Sequence, residues 1–223
     1  MAKRYTTKES SAAHAAKALL ANIRFAGVDE PIRSVVVASA DSGEGKSTIC
    51  LELARAMATS GRRTLLVDCD MRRRALAGML SVHGEVGIYS VIAGMAELER
   101  ALMPTSVMGL QFMDCEPFVP NPSGILMSSA FERLMGRLDQ AFDYIVFDTP
   151  PVCLFADASV IAATADATLL VAREGVTQRE RLVEAYEQLK RSGARVIGTV
   201  MNGCHINDSL YAYESSKAKG AKK

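Results

Sequence analysis

No stretch of the 223 residues approaches the roughly 18 consecutive apolar residues that a membrane-spanning helix needs. An excess of one charge is missing too: 26 Lys and Arg stand against 25 Asp and Glu, so no overall field draws the chain to nucleic acid or anionic lipid. The five cysteines, Cys50, Cys69, Cys115, Cys153 and Cys204, are odd in number, widely spaced and form no Cys-x-x-Cys pair. That pattern argues against a disulfide framework and a zinc site and points to the cytosol. The first residues, MAKRYTTKESS, lack the apolar segment of a secretory signal. Internal repeats and low-complexity linkers are absent as well, and 49% hydrophobic residues suffice for one substantial core.

What is present is a succession of short apolar runs: SVVVAS (34–39), TLLVD (64–68), LQFMD (110–114), YIVFD (144–148), ATLLVA (167–172) and RVIGTVM (195–201). Such runs suit strands buried on both faces. Between them lie helical spacings, Ile49, Leu53 and Met57 in one and Leu182, Tyr186 and Leu189 in another. The alternation predicts an α/β fold, a doubly wound, mostly parallel sheet with helices on both faces. An Ala-rich helix from Ser10 or Ser11 to about Arg24 precedes the first strand and lies outside the alternating unit. The proline-rich CEPFVPNPSG (115–124) reads as a fixed loop. Residues 1–204 are expected to form the folded domain and 205–223 a flexible tail ending in lysines.

The strongest chemical signal is ADSGEGKST (40–48), directly after one strand and before a helix, the context of a phosphate loop. Gly43 and Gly45 let the backbone curl so that amides of Ser42 to Thr48, including Glu44, point at phosphate oxygens. Lys46 can then reach the β and γ phosphates, and the Ser47 hydroxyl can bind magnesium. Two acidic strand ends fit the same crevice: Asp68 with Asp70 and Arg72 beyond it in DCDMRRR, and Asp148 in YIVFDTPP. Arg73 and Arg74 suit either a phosphate contact or a solvated loop.

The set ADSGEGKST, LLVDCDMR, IVFDTPPV and ADA (156–158), with FVPNPSGIL (118–126), closely resembles the bacterial tyrosine kinases of capsule and exopolysaccharide synthesis, over about residues 30–203. The resemblance implies a P-loop NTPase fold and phosphoryl transfer from ATP with Mg2+. It gives Lys46, Asp68, Asp70 and Asp148 the catalytic roles, Asp68 drawing the proton from the phenol. Ser47, Asp70 and Asp148 would hold the metal, and Arg72 and Asn202 would join the nucleotide site. The acceptors implied are Tyr211 and Tyr213 of the tail. Tyr5, Tyr89, Tyr144 and Tyr186 are less suited to that role, Tyr144 and Tyr186 being expected in the core. The family also implies a transmembrane activator of the polysaccharide co-polymerase type, a phosphotyrosine phosphatase, a possible homo-oligomer and a cytoplasmic protein recruited to the inner face of the membrane.

Two departures stand out. Division-site and chromosome-partitioning ATPases carry a lysine five positions before the main one, where this chain has Asp41. The kinase family's early helix commonly has a Glu-x-x-Arg-x-x-Arg ring contact, and the matching positions are His14, Lys17 and Leu20. Beside the kinase reading stand an ATPase switch and a non-catalytic, ATP-binding regulatory subunit.

Overall fold

The computed structural model describes residues 11–204. Its strands are β1 (Ser34–Ser39), β2 (Thr64–Asp68), β3 (Met103–Pro104), β4 (Leu110–Met113), β5 (Tyr144–Asp148), β6 (Ala167–Arg173) and β7 (Val196–Asn202). They form one sheet in the order β3-β4-β2-β5-β1-β6-β7. Every pairing is parallel except that of β3 with β4. The six apolar runs are thus six parallel strands, and the two-residue β3, too short to carry a period, is an antiparallel addition at the edge.

Helices α1 (Ser11–Ala26), α2 (Lys46–Thr59) and α3 (Ala75–Leu80) are joined along the chain by α4 (Ile88–Ile92), α5 (Leu98–Ala101), α6 (Pro122–Leu126), α7 (Ser129–Ala141), α8 (Asp157–Thr164) and α9 (Arg179–Arg191). Alternation along each strand divides the core between the faces. Val35, Val37 and Val146 pack with α1 and α2, while Val36, Ala38, Ile145 and Phe147 pack with Phe131 and Leu138 of α7 and Leu189 of α9. With both faces covered, the strands need apolar residues at every position, which is why they read as unbroken runs. Phe112, Phe131 and Phe147 are fully buried, each worth about 2–3 kcal/mol by removal from water.

Helix α1 lies outside the alternating unit, yet Ala16, Leu20 and Ile23 make a buried stripe against α2. Leu20 is therefore spent on the chain's own core, while Lys17 on the same helix is exposed. Two expectations are corrected. Tyr186 is 40% exposed, because Ala185 and Leu189 carry the buried stripe of α9 and Tyr186 falls beside it; Tyr144, by contrast, packs against the core as expected, half-buried, and accepts a hydrogen bond from Arg24 Nε at 3.2 Å. The proline-rich segment is not all loop: Asn121, left-handed at φ 47°, caps α6 by accepting from the Gly124 amide at 3.2 Å, and Pro122 opens the helix. Among the described residues no helix is long and apolar enough to cross a membrane.

Candidate active site

The loop 40–45 turns from the end of β1 into α2, and its two left-handed glycines make the turn, Gly43 at φ 83° and Gly45 at φ 95°. A Cβ on Gly45 would lie 2.0 Å from Asn202 Nδ2, so glycine is required twice over there, by conformation and by space. Asn202, at the end of β7, donates from Nδ2 to the Glu44 carbonyl at 2.9 Å. Its Oδ1 accepts from the Gly203 amide, so both ends of the amide bind the chain itself. The Glu44 side chain is turned inward and buried, accepting from the Asp41 amide at 3.0 Å and from the Thr177 hydroxyl. Lys46 begins α2, is buried, and donates to Ser39 Oγ at 2.9 Å. Above the loop opens a polar cavity of about 300 Å³ lined by Ser42, Gly43 and residues 45–48, with Asp70, Arg73 and Arg173 on its walls. A helix start, a lysine and two arginines around one small cavity suit an anionic ligand of several charges.

Beside this loop, β2 and β5 end together: Asp68 and Asp148 are partners across the parallel pair, 0% and 1% exposed. Asp68 Oδ1 accepts from the Asp70 amide at 2.9 Å, but Asp68 Oδ2 and both oxygens of Asp148 have no hydrogen-bond partner among the described residues. Burial, reinforced by the neighbouring charge of Asp148, pushes the Asp68 carboxyl well above the usual range. Burial likewise raises Asp148, while the Ser47 hydroxyl and the Lys46 ammonium pull it down; the hydroxyl lies close without closing a hydrogen bond. Carboxylate oxygens buried without donors are expensive, and a divalent cation is the partner that such hard oxygens fit. Asp148, Asp70 and the Ser47 hydroxyl thus form a donor set suited to magnesium, with the Asp68 carboxyl beside it.

The segment after β2 is fixed by two further buried carboxylates. Arg72 Nη1 donates to Asp157 Oδ2 at 2.8 Å while its guanidinium stacks 3.6 Å from the Phe155 ring centre. Arg74 Nη2 donates to Asp114 Oδ2 at 2.5 Å. Asp157, at the start of α8, also accepts from the Ser123 hydroxyl of α6, so the Asn-Pro segment is tied to the same network. With residues 72 and 74 held by carboxylates, Arg73 between them is the one that lines the cavity. Asp68, Asp114 and Cys115 also gather within 4.8 Å, but both oxygens of Asp114 already accept from Arg74.

The structure therefore gathers Ser42, Gly43, Gly45, Lys46, Ser47, Thr48 and Asp70 at one cavity, with Asp68 and Asp148 buried at adjoining strand ends. It does not bring Arg72 to that cavity, because Asp157 and Phe155 hold its head. Arg173, at the end of β6, had no sequence signal, since a lone arginine after an apolar run is common. Tyr211 and Tyr213 lie outside the described residues.

Comparison with known proteins agrees with this geometry. Residues 32–215 match the family model ParA, described as "NUBPL iron-transfer P-loop NTPase". Tyrosine-protein kinase YwqD of Bacillus subtilis (strain 168) is 34% identical over 197 residues, covering 88% of this chain and 83% of that protein. Tyrosine-protein kinase CpsD of Streptococcus agalactiae is 33% identical over 88% of this chain and 84% of its own length. The kinase domain of the Escherichia coli tyrosine kinase ETK superposes with a TM-score of 0.85 at 26% identity, covering 92% of this chain and 80% of that one. In tyrosine-protein kinase wzc of Salmonella typhi, 27% identical, the matching region is only 27% of the protein. A phosphate loop, two buried strand-end carboxylates and these matches over most of the chain lead to one assignment: the chain belongs to the bacterial tyrosine-protein kinases, a branch of the P-loop NTPases.

Proposed function

We propose that the chain transfers the γ-phosphoryl group of ATP to protein tyrosine, its own tail included, in the control of capsular or exopolysaccharide synthesis. The observation that carries the reading is the Asp68 and Asp148 pair: buried, in register, with three oxygens lacking donors among the described residues, beside a phosphate loop. Lys46, Arg73 and Arg173 supply positive charge to the phosphates, and the loop amides orient them. Ser47, Asp70 and Asp148 would hold magnesium, which when bound neutralises charge on the phosphate oxygens. Asp68 accepts the phenol proton as the tyrosine oxygen bonds to the γ phosphorus and ADP departs. Burial and the neighbouring Asp148 charge raise the basicity of the Asp68 carboxyl, the direction that a proton acceptor needs.

Tyr211 and Tyr213 are the acceptors in this reading, brought by another copy of the chain. A membrane-bound activator of the polysaccharide co-polymerase type is the partner in this reading, drawing the chain to the inner face of the membrane. A phosphotyrosine phosphatase would reverse the modification.

The test is incubation with MgATP and a tyrosine-containing polypeptide, followed by phosphotyrosine detection, with Lys46→Met as control. Phosphotyrosine that is lost in the variant supports the reading. ATP hydrolysis with no phosphotyrosine, even with an activator's cytoplasmic segment added, would replace it by an ATPase switch.

A further inference from the structure

The outer side of the phosphate loop is gripped by the segment from the end of β6 to the start of α9, of which Arg173 also lines the cavity. Arg181 of α9 makes a two-pronged contact with Asp41, Nε to Oδ2 at 3.0 Å and Nη2 to Oδ1 at 2.7 Å. The Thr177 hydroxyl donates to the buried Glu44 carboxylate, whose other oxygen accepts from the Asp41 amide. Arg173 completes the grip by donating from Nη1 to the Gly43 carbonyl at 2.9 Å, and its own amide donates to Thr177 Oγ1 at 2.8 Å. Three residues spaced four apart at the end of β6 and the start of α9 thus hold three of the five loop residues that precede Gly45.

A glycine-rich loop binds phosphate only if its amides are already turned toward the ligand, because ordering them on binding would consume the binding energy. Within the loop Gly43 and Gly45 favour freedom, and the internal bond from the Asp41 amide to Glu44 needs the Glu44 side chain held in place. The bonds from Thr177 and Arg181 supply it from outside. Asp41 has no access to this role alone: its carboxylate is part-exposed, and the planar guanidinium fork of Arg181 fixes it in one orientation. Glu184 shares the same guanidinium through Nη1 at 2.6 Å and so limits its alternatives.

We infer that Arg181 and Thr177 are positioning residues for the nucleotide, pre-ordering the phosphate loop through Asp41 and Glu44. The inference rests on the phosphate-loop reading of residues 40–48. They touch no phosphate themselves, so their removal weakens nucleotide binding while leaving the donor groups in place.

The experiment measures the dissociation constant of MgADP for the full chain and for Arg181→Ala, Asp41→Ala, the double variant, Thr177→Val and Lys46→Met, with amide hydrogen exchange over residues 41–45. Each single loss at the clamp is expected to weaken binding roughly fivefold, a part-exposed charged pair being worth less than a buried one. The Asp41→Ala, Arg181→Ala double variant should be no weaker than either single one, because both remove one contact. Exchange at 41–45 should quicken while thermal stability stays near wild type, and Arg181→Lys should recover only part of the affinity. If clamp variants bind as tightly as wild type while Lys46→Met loses binding, the positioning role is wrong and the phosphate loop stands. If wild type binds no nucleotide, both fall. Should Arg181→Ala fail to fold, Thr177→Val with unaltered affinity and unaltered exchange overturns the inference by itself.

Discussion

Asp68 and Asp148 close neighbouring parallel strands in the same register, both buried, and among the described residues only Asp68 Oδ1 of their four oxygens has donors, the Asp70 amide and, at 3.9 Å, the Cys115 thiol. Two carboxylates placed so work against the stability of the ligand-free protein, and their placement answers to chemistry instead.

Replacing either with its amide should therefore stabilise the nucleotide-free chain while ending phosphoryl transfer. Asp148→Asn is expected to raise stability by about 1–2 kcal/mol, relieving a buried charge. Urea unfolding of wild type and variant, beside a phosphotransfer assay, checks both halves.

The pH dependence follows with a defined sign. Both carboxyls are raised in the folded state, so the folded chain holds protons that the unfolded chain has released above roughly pH 4. Their contribution to stability is full below that point and is lost as pH rises through the raised folded values. Thermal melting of the nucleotide-free chain should fall between pH 5 and pH 7, on the order of a few degrees, and Asp148→Asn should flatten the fall. MgADP should do the same, since a bound cation removes the benefit of the proton.

Gly45 offers a sharper steric test. Gly45→Ala puts a Cβ 2.0 Å from Asn202 Nδ2 at a φ of 95° that side chains avoid. The Asn202 side chain or the loop must shift, breaking the bond from Asn202 to the Glu44 carbonyl, and nucleotide affinity should fall by roughly tenfold or more, with strain on the order of 1–2 kcal/mol. Calorimetric titration with MgADP measures it; Gly61→Ala, where a Cβ meets nothing despite a φ of 84°, serves as the comparison with strain alone.

Neighbouring arginines should separate stability from binding. Arg72→Ala leaves Asp157 buried without its counter-charge and should cost about 3 kcal/mol of stability. Arg73→Ala removes a cavity cation and should weaken nucleotide binding with little change in unfolding. Chemical denaturation and nucleotide titration on the same two variants distinguish them.

The sequence made most of this fold legible because its signals are local. A buried parallel strand announces itself in five or six residues, and the phosphate loop in nine between a strand and a helix. What escaped depends on residues far apart. Which of Arg72 and Arg73 faces the cavity is decided by Asp157, 85 positions away. Asp41 gave a departure from a related family's lysine, but its partner Arg181 lies 140 positions on. Tyr186 shows the limit of periodicity itself: a four-residue spacing from Leu182 suits the core, and so does the three-residue spacing to Ala185, which is the one the helix buries. The short β3 has no period at all.

The most direct measurement is intact mass with phosphosite mapping after incubation with MgATP, on wild type, Lys46→Met, and the double variant Tyr211→Phe, Tyr213→Phe. The account predicts phosphate on Tyr211 or Tyr213 in wild type and none on the tail in either variant. A wild-type chain that binds and turns over MgATP yet carries no phosphotyrosine, on itself or on added protein, would contradict it.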